Sequence, residues 1–316
     1  MTPPPAAVLA HPELPDLSGN PARHRREAVI RACFLGAGLS SLLITAAIIF
    51  SLTAEAAGFL REVDLGELWT TGWFPRRGTF DLKTLFVGSL VVTGIAMLVA
   101  TPLGLGAAIY LAEYARPRVR RVLKPILEIL AGIPSIVVGF FAFVWISPEI
   151  VQRFNPGATD FNLAAAGIGV GVLVTPLVAS VTEDALRAVP RSLREASYGL
   201  GARRVTTSLR VVFPAAISGI VASLILAMSR AIGETMVVAL AAGASGGVQY
   251  TTDPYRQGQT VTAAMASLAA GSDAVAGVGE VDPVKSLFLL GLMLFFTTFL
   301  LNLIGERVVR RVRERY

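Results

Sequence analysis

Five stretches of this sequence run for about twenty residues or more without a single Asp, Glu, Lys or Arg: Ala32 to Thr53, Thr84 to Ala112, Ile129 to Pro148, Phe161 to Thr182 and Ser286 to Gly305. A helix rises about 1.5 Å per residue and satisfies its own backbone polar groups, so about 20 apolar residues cross the roughly 30 Å hydrocarbon core of a bilayer, where water cannot solvate an open chain. A sixth run, Val211 to Ala242, is apolar except for Arg230 and Glu234. Together the runs predict an all-α, polytopic membrane protein with six transmembrane helices. Composition agrees: 53% of the 316 residues are hydrophobic and 16% charged, and the mean hydropathy is +0.63. The single cysteine, Cys33, cannot form an intrachain disulfide.

The net charge of +6 reads as membrane orientation, not nucleic-acid binding, because the basic residues cluster beside the apolar blocks. Twenty of the 28 Lys and Arg fall in the N-terminal flank, the second-to-third and fourth-to-fifth connections and the C-terminal tail. Six (Arg61, Arg76, Arg77, Lys83, Arg153 and Arg256) fall on the other side. This asymmetry predicts an inner-membrane, multi-pass protein with both termini cytoplasmic. Residues 1–30, opening on a Pro-rich stretch without an apolar run, read as a disordered cytoplasmic tail and not a cleavable signal, which would open with a short basic region and a brief apolar core. The first span is expected over 31–60. The membrane core is expected over 84–306, with spans at about 84–112, 125–148, 161–182, 214–242 and 285–305, a cytoplasmic connection at 183–213 and a basic tail at 307–316.

Several chemistries lack their residues. The three lysines, Lys83, Lys124 and Lys285, each follow an aliphatic residue, so there is no Gly-Lys phosphate loop. Both histidines, His11 and His24, precede the first apolar run, and no His or Cys cluster has metal-ligand spacing. The reading is a transport subunit, not an enzyme, with no cofactor bound by this chain.

The connection from Glu195 to Ile220 carries specific punctuation. A short helix of roughly Pro190 to Gly199 is expected to end at Gly199-Leu200-Gly201, with Gly201 making a turn, and Pro214 suits the start of the next helix. Glu195-Ala196-Ser197, three residues, Gly201, nine residues and Val211-x-Phe213-Pro214 resemble the cytoplasmic signature of type I ABC importer permeases, Glu-Ala-Ala, Gly and Ile-x-Leu-Pro at the same spacing. The resemblance extends over about Leu85 to Arg307, including Pro102 to Glu113 and Glu128 to Ser135. It implies that the short helix docks on a separate ATPase and that Glu195, Ala196 and Gly201 serve this coupling. The competing reading is an amphipathic helix on lipid headgroups, which Arg187, Arg191 and Arg194 would suit. Glu128, one turn after Lys124, reads as its ion-pair partner.

Arg230 falls near the middle of the sixth run, where a charge costs about 2.5 to 3.5 kcal/mol on insertion scales and must face the bundle interior or an aqueous path. On a continuous helix Glu234 shares its face. The pair either locks helices together or serves a substrate: a guanidinium offers a planar fork for a tetrahedral oxyanion, and a carboxylate beside it accepts a hydrogen bond from protonated phosphate while repelling fully ionised sulfate. Arg230-Ala-Ile-Gly-Glu-Thr-Met236 resembles the fifth-span signature of phosphate-specific ABC permeases, where this Arg and Glu are implicated in phosphate passage. Met236 after Glu-Thr is unlike the PstA subunit, in which Ala-Pro is typical.

The resemblance implies a permease subunit of an ATP-driven inorganic phosphate importer. It would work with a PstA-like second permease, a PstB-like ATPase dimer that binds the ATP and Mg, and an external PstS-like phosphate-binding protein that the Gly243 to Val284 connection could receive. A PstA-like subunit, a permease for another oxyanion, an ion-gradient-driven transporter or channel, and a non-transporting scaffold or sensor are the alternatives.

Overall fold

The computed structural model describes residues 21–69, 72–243, 246–272 and 282–312. The chain divides into two units, Met1–Ser51 and Leu52–Tyr316. The first is described from Pro21, where α1 (Pro21–Glu62) begins, and its side chains are exposed from Arg26 to Ile48. The helix starts ahead of the expected boundary at 31 because Pro suits a first helical position and the following Ala, Arg and Glu are strong helix formers. The rest of the expected tail, residues 1–20, lies outside the described residues.

The second unit starts with the last turns of α1 and a small antiparallel sheet. Strand β1 (Gly72–Phe74) pairs with β2 (Thr79–Phe80), Trp73 opposite Phe80, and with β3 (Val248–Gln249), Trp73 opposite Val248. Alternation turns Trp73 and Phe80 to one face, where they pack edge-on at 5.8 Å, with Phe59 of α1 at 5.1 Å from Phe80. This aromatic cluster, with Leu85, Leu268 and Leu290, is one of three buried cores.

The main core lies between α2 (Leu82–Ile109) and α5 (Leu163–Ala188). Both helices continue through an internal proline, Pro102 and Pro176. Their backbones approach closely at glycines: a Cβ on Gly104 would lie 2.6 Å from Val178 Cβ, and one on Gly171 would lie 2.8 Å from Val99 Cβ. In lipid, with no hydrophobic drive between helices, such small residues allow the backbone contact that holds a pair together.

Helices α3 (Pro117–Ala131) and α4 (Ser135–Phe141, extended by π turns over Ala142–Gln152) replace the single span expected at 125–148. The break falls at Gly132-Ile133-Pro134, where a residue preceding proline is pushed out of the helical region. Only Ser135–Gln152 has the length and apolarity of a span. By contrast α3 is amphipathic and buries no residue; Val119, Val122, Ile126 and Ile129 are exposed.

Beyond α5 come α6 (Arg191–Gly199), α7 (Arg204–Thr207, continued by a π turn over Ser208–Val212), α8 (Phe213–Ala215), α9 (Ile217–Ile232) and α10 (Met236–Val238, continued by a π turn over Ala239–Gly243). Then follow α11 (Val261–Ala269) and α12 (Ser286–Val312). Among the described residues five helices are long and apolar enough to cross a membrane, and a sixth is present if Arg204–Ala215 and Ile217–Ile232, bent by 70° at Ala216, are one span. Pro214 stands in the first turn of α8, as its missing amide proton allows, two residues before the bend that separates α8 from α9. The fifth span of the chain, expected over 214–242, is interrupted a second time after Ile232. Helix α12 carries on into the expected tail, where Arg310 pairs with Glu306 and basic side chains complement the helix C-terminus.

Candidate functional site: a signature connection and a broken span

The connection around α6 is closed as its glycines predict. Gly201 takes φ +77°, its N–H donates to Tyr198 O at 2.9 Å, and Ala202 N–H donates to Ser197 O at 3.1 Å. Those two bonds form a Schellman motif, which satisfies the last carbonyls of α6 and reverses the chain toward α7. Glu195 and Ala196 are exposed on α6, next to Leu200, which is 89% exposed. Ser197, where the family signature has alanine, is buried and shares a 2.8 Å hydrogen bond with Thr207, tying α6 to α7.

Arg194 does not point toward lipid. Its Nη1 donates to Val189 O at 2.6 Å, and its Nη2 donates to Leu186 O at 2.7 Å and to Glu113 Oε1 at 3.1 Å. Glu113 lies in the π turn Tyr110–Tyr114 that ends α2, and it is 7% exposed. Arg204 donates to Glu113 O and sits 5.0 Å over the Tyr114 ring.

Lys124 bypasses Glu128. Its Nζ donates to Asp184 Oδ1 at 2.8 Å and forms an ion pair with Glu183 Oε2 at 3.1 Å, while Arg120 Nε donates to Glu183 Oε1 at 2.6 Å. The hydrogen bond to Asp184 raises the Lys124 pKa above its ordinary 10.5, against a smaller opposing effect of burial. Glu128 is exposed, one turn along α3 but aimed elsewhere.

Arg230 and Glu234 occupy a different setting from the shared helical face expected of them. Helix α9 ends at Ile232, Gly233 caps it, and Glu234 and Thr235 are non-helical before α10 begins. The Glu234 carbonyl accepts a 2.7 Å hydrogen bond from Thr262 of α11, and its Oε1 accepts a long one, 3.4 Å, from Val237 N. Arg230 is exposed, and among the described residues it makes no hydrogen bond or ion pair.

Neighbouring elements brace the break. A Cβ on Gly139 of α4 would lie 2.9 Å from Met236 O, and one on Gly169 of α5 would lie 3.1 Å from Val237 Cγ1. Opposite, α11 is seated against α2: Val261 N donates to Ser89 Oγ at 3.1 Å, and a Cβ on Gly88 would come within 2.3 Å of Gln259 O. The connection from Gly243 to Val284 therefore contributes a buried helix to the core and is not only a surface loop. Thr262, Gly139 and Glu113 were not singled out from sequence; of these only Glu113 stood in a motif, at the end of Pro102 to Glu113. Among the described residues no group of His, Cys, Asp and Glu could hold a metal ion.

Residues 100–315 match the family described as binding-protein-dependent transport system inner membrane component. The phosphate transport system permease protein PstC of Mesorhizobium japonicum is 30% identical over 307 residues, 92% of this chain and 91% of that protein. The probable ABC transporter permease protein YqgH of Bacillus subtilis is 34% identical over 222 residues, 69% of this chain and 71% of its own. A phosphate transport system permease protein PstA 1 of Mycobacterium tuberculosis is 39% identical over 181 residues, 56% of this chain and 57% of that protein. Among solved structures, a bacterial alginate ABC transporter in complex with an alginate-bound periplasmic protein has a chain with TM-score 0.64 at 13% identity, covering 92% of this chain and 96% of that one. That likeness shows the fold, that of a type I ABC importer permease.

The chain belongs to the binding-protein-dependent transport system inner membrane component family and is a multi-pass ABC permease. Within that class it is PstC-like.

Proposed function

We propose that this chain is the membrane-spanning subunit of an ATP-driven inorganic phosphate importer, forming half of the translocation path. The observation that carries the reading is Arg230: a guanidinium exposed on the chain, without an internal partner among the described residues, halfway along Ile217–Gly243. Such a charge is tolerated only against a second subunit or an aqueous path. The break beside it adds amides without helical partners, as any helix start does, so the local field favours an anion. Glu234, at the same break, supplies an acceptor for a phosphate that still carries a proton. PstC-named relatives over most of the chain favour phosphate over other oxyanions.

In this reading both termini and α6 face the cytoplasm, and Glu195, Ala196 and Gly201 serve docking on a PstB-like ATPase dimer, which binds the ATP and Mg. A PstA-like permease completes the path, and a PstS-like protein delivers phosphate from outside.

Reconstituted vesicles holding all four components test this. ATP-dependent uptake of radiolabelled phosphate, resistant to excess sulfate, is expected. Arg230→Met with Glu234→Leu separates the substrate role from a lock, because exchanging a locking charge pair for apolar residues is often neutral or stabilising. The double variant should assemble and not transport; normal uptake by it would refute the substrate role.

A further inference from the structure

The contact between Glu113 and Arg194 is absorbed by none of the roles above, and it joins two elements that the chain leaves unconnected. Helix α6 is covalently continuous with α5 through Val189 and Pro190 and is tied to α7 by Ser197 and Thr207. Helix α2 has no covalent continuity with this corner; 81 residues separate Glu113 from Arg194. Yet both of Glu113's acceptors are engaged from the corner, the carboxylate by Arg194 and the carbonyl by Arg204, with the Arg204 guanidinium also over Tyr114.

Arg194 is itself immobilised, since two further donors hold Leu186 O and Val189 O, the carbonyls where α5 turns into α6. Separating the two side chains would leave a carboxylate that is 7% exposed without its cation. Removing one partner from a buried pair is strongly unfavourable, so under load the pair moves as one body. Compliance lies at the α2 side of the pair: residues Tyr110–Tyr114, which include Glu113, form a π turn, a wider and poorer hydrogen-bonding arrangement in which a helix can change its register locally.

We propose that Glu113 is a positioning residue for transport, the link through which displacement of the α5–α6 corner by the docked ATPase is passed to the end of α2. This rests on the reading that an ATPase docks at α6.

The test uses the complete complex with Cys33→Ser and spin labels at Arg116→Cys and Ser192→Cys, both exposed positions flanking the contact. With Glu113 intact, the label separation should be the same in the nucleotide-free and ATP-trapped states. In Glu113→Gln, which keeps the size of the side chain and removes its charge, the separation should differ between the states. ATP hydrolysed per phosphate transported should also rise, because hydrolysis then proceeds without moving the end of α2. A purely structural role would lower assembly, hydrolysis and uptake together and leave that ratio unchanged. A separation that changes with nucleotide when Glu113 is intact, or one that stays constant in Glu113→Gln, overturns the proposal. The distance measurement needs no phosphate, so absent uptake by the unmodified complex would sink the phosphate reading alone. Failure of the ATPase to bind at α6 would sink both.

Discussion

Glu183 is 0% exposed at the last turns of α5, with Arg120 at 2.6 Å, Lys124 at 3.1 Å and Arg187 at 3.9 Å. One buried carboxylate thus gathers three cations and fastens α3 to α5. Removing a buried partner costs about 3–5 kcal/mol, but Arg120 and Lys124 keep 27% of their exposure and water recovers part of this. Glu183→Ala should therefore destabilise the purified permease by about 2–3 kcal/mol, read as a fall in thermal midpoint in detergent. A change within the scatter of surface variants would show that α3 is held by something else. Lys124 adds a pH dependence. Its pKa is raised in the folded chain, so its contribution is fully present below the ordinary 10.5 and is lost as pH rises through the folded value. Stability should fall more steeply above pH 10.5 with Lys124 present than in Lys124→Met. None of this was legible in the sequence, where Lys124 reads naturally with Glu128, because the true partners stand about 60 residues away. Arg230 was legible for the opposite reason: a lone guanidinium in an apolar run is anomalous without reference to any other residue.

The connection around α6 shows how much punctuation can specify by itself. A Schellman closure needs a left-handed residue at one position, and Gly201 meets that need locally, so its geometry could be read from spacing alone. A β-branched side chain at φ +77° is strained whatever surrounds it. Gly201→Val should keep the permease in the membrane and weaken ATPase co-purification severalfold, whereas Gly199→Ala, in open space and helical, should not. Equal binding by both variants would remove Gly201 from the coupling element. The broken span was illegible at this level. From Ile217 to Ala242 the apolar run gives no stop stronger than Gly233, and the break is held by Thr262 on α11 and by the close approach of Gly139. Both are tertiary partners, outside the reach of periodicity. Division of α3 from α4 lay between these cases: Pro134 was visible, but a span that tolerates proline, as α2 and α5 do, gave no ground for expecting a full stop.

Across the whole molecule, the separation of basic residues makes the orientation testable without any assumption about substrate. With Cys33 replaced, a cysteine at exposed Asp253 should react with an impermeant thiol reagent added outside intact cells, and one at exposed Arg203 should react only after permeabilisation. The reverse pattern would overturn the orientation and with it ATPase docking at α6. The fold class and the number of spans followed from the apolar runs, since a bilayer admits few alternatives; the packing order did not, because the small residues that bring α2 against α5 are invisible to hydropathy. The uncovered guanidinium in the last turn of α9 has a further consequence, for the upkeep of the chain in a living cell. A newly inserted copy standing alone presents to lipid a charge that insertion scales penalise by about 2.5 to 3.5 kcal/mol, and it is relieved only when another surface closes over it. On the reading that a second subunit covers Arg230, the chain expressed alone is expected to accumulate to a lower level than the chain expressed with that subunit, measured by immunoblot of membranes.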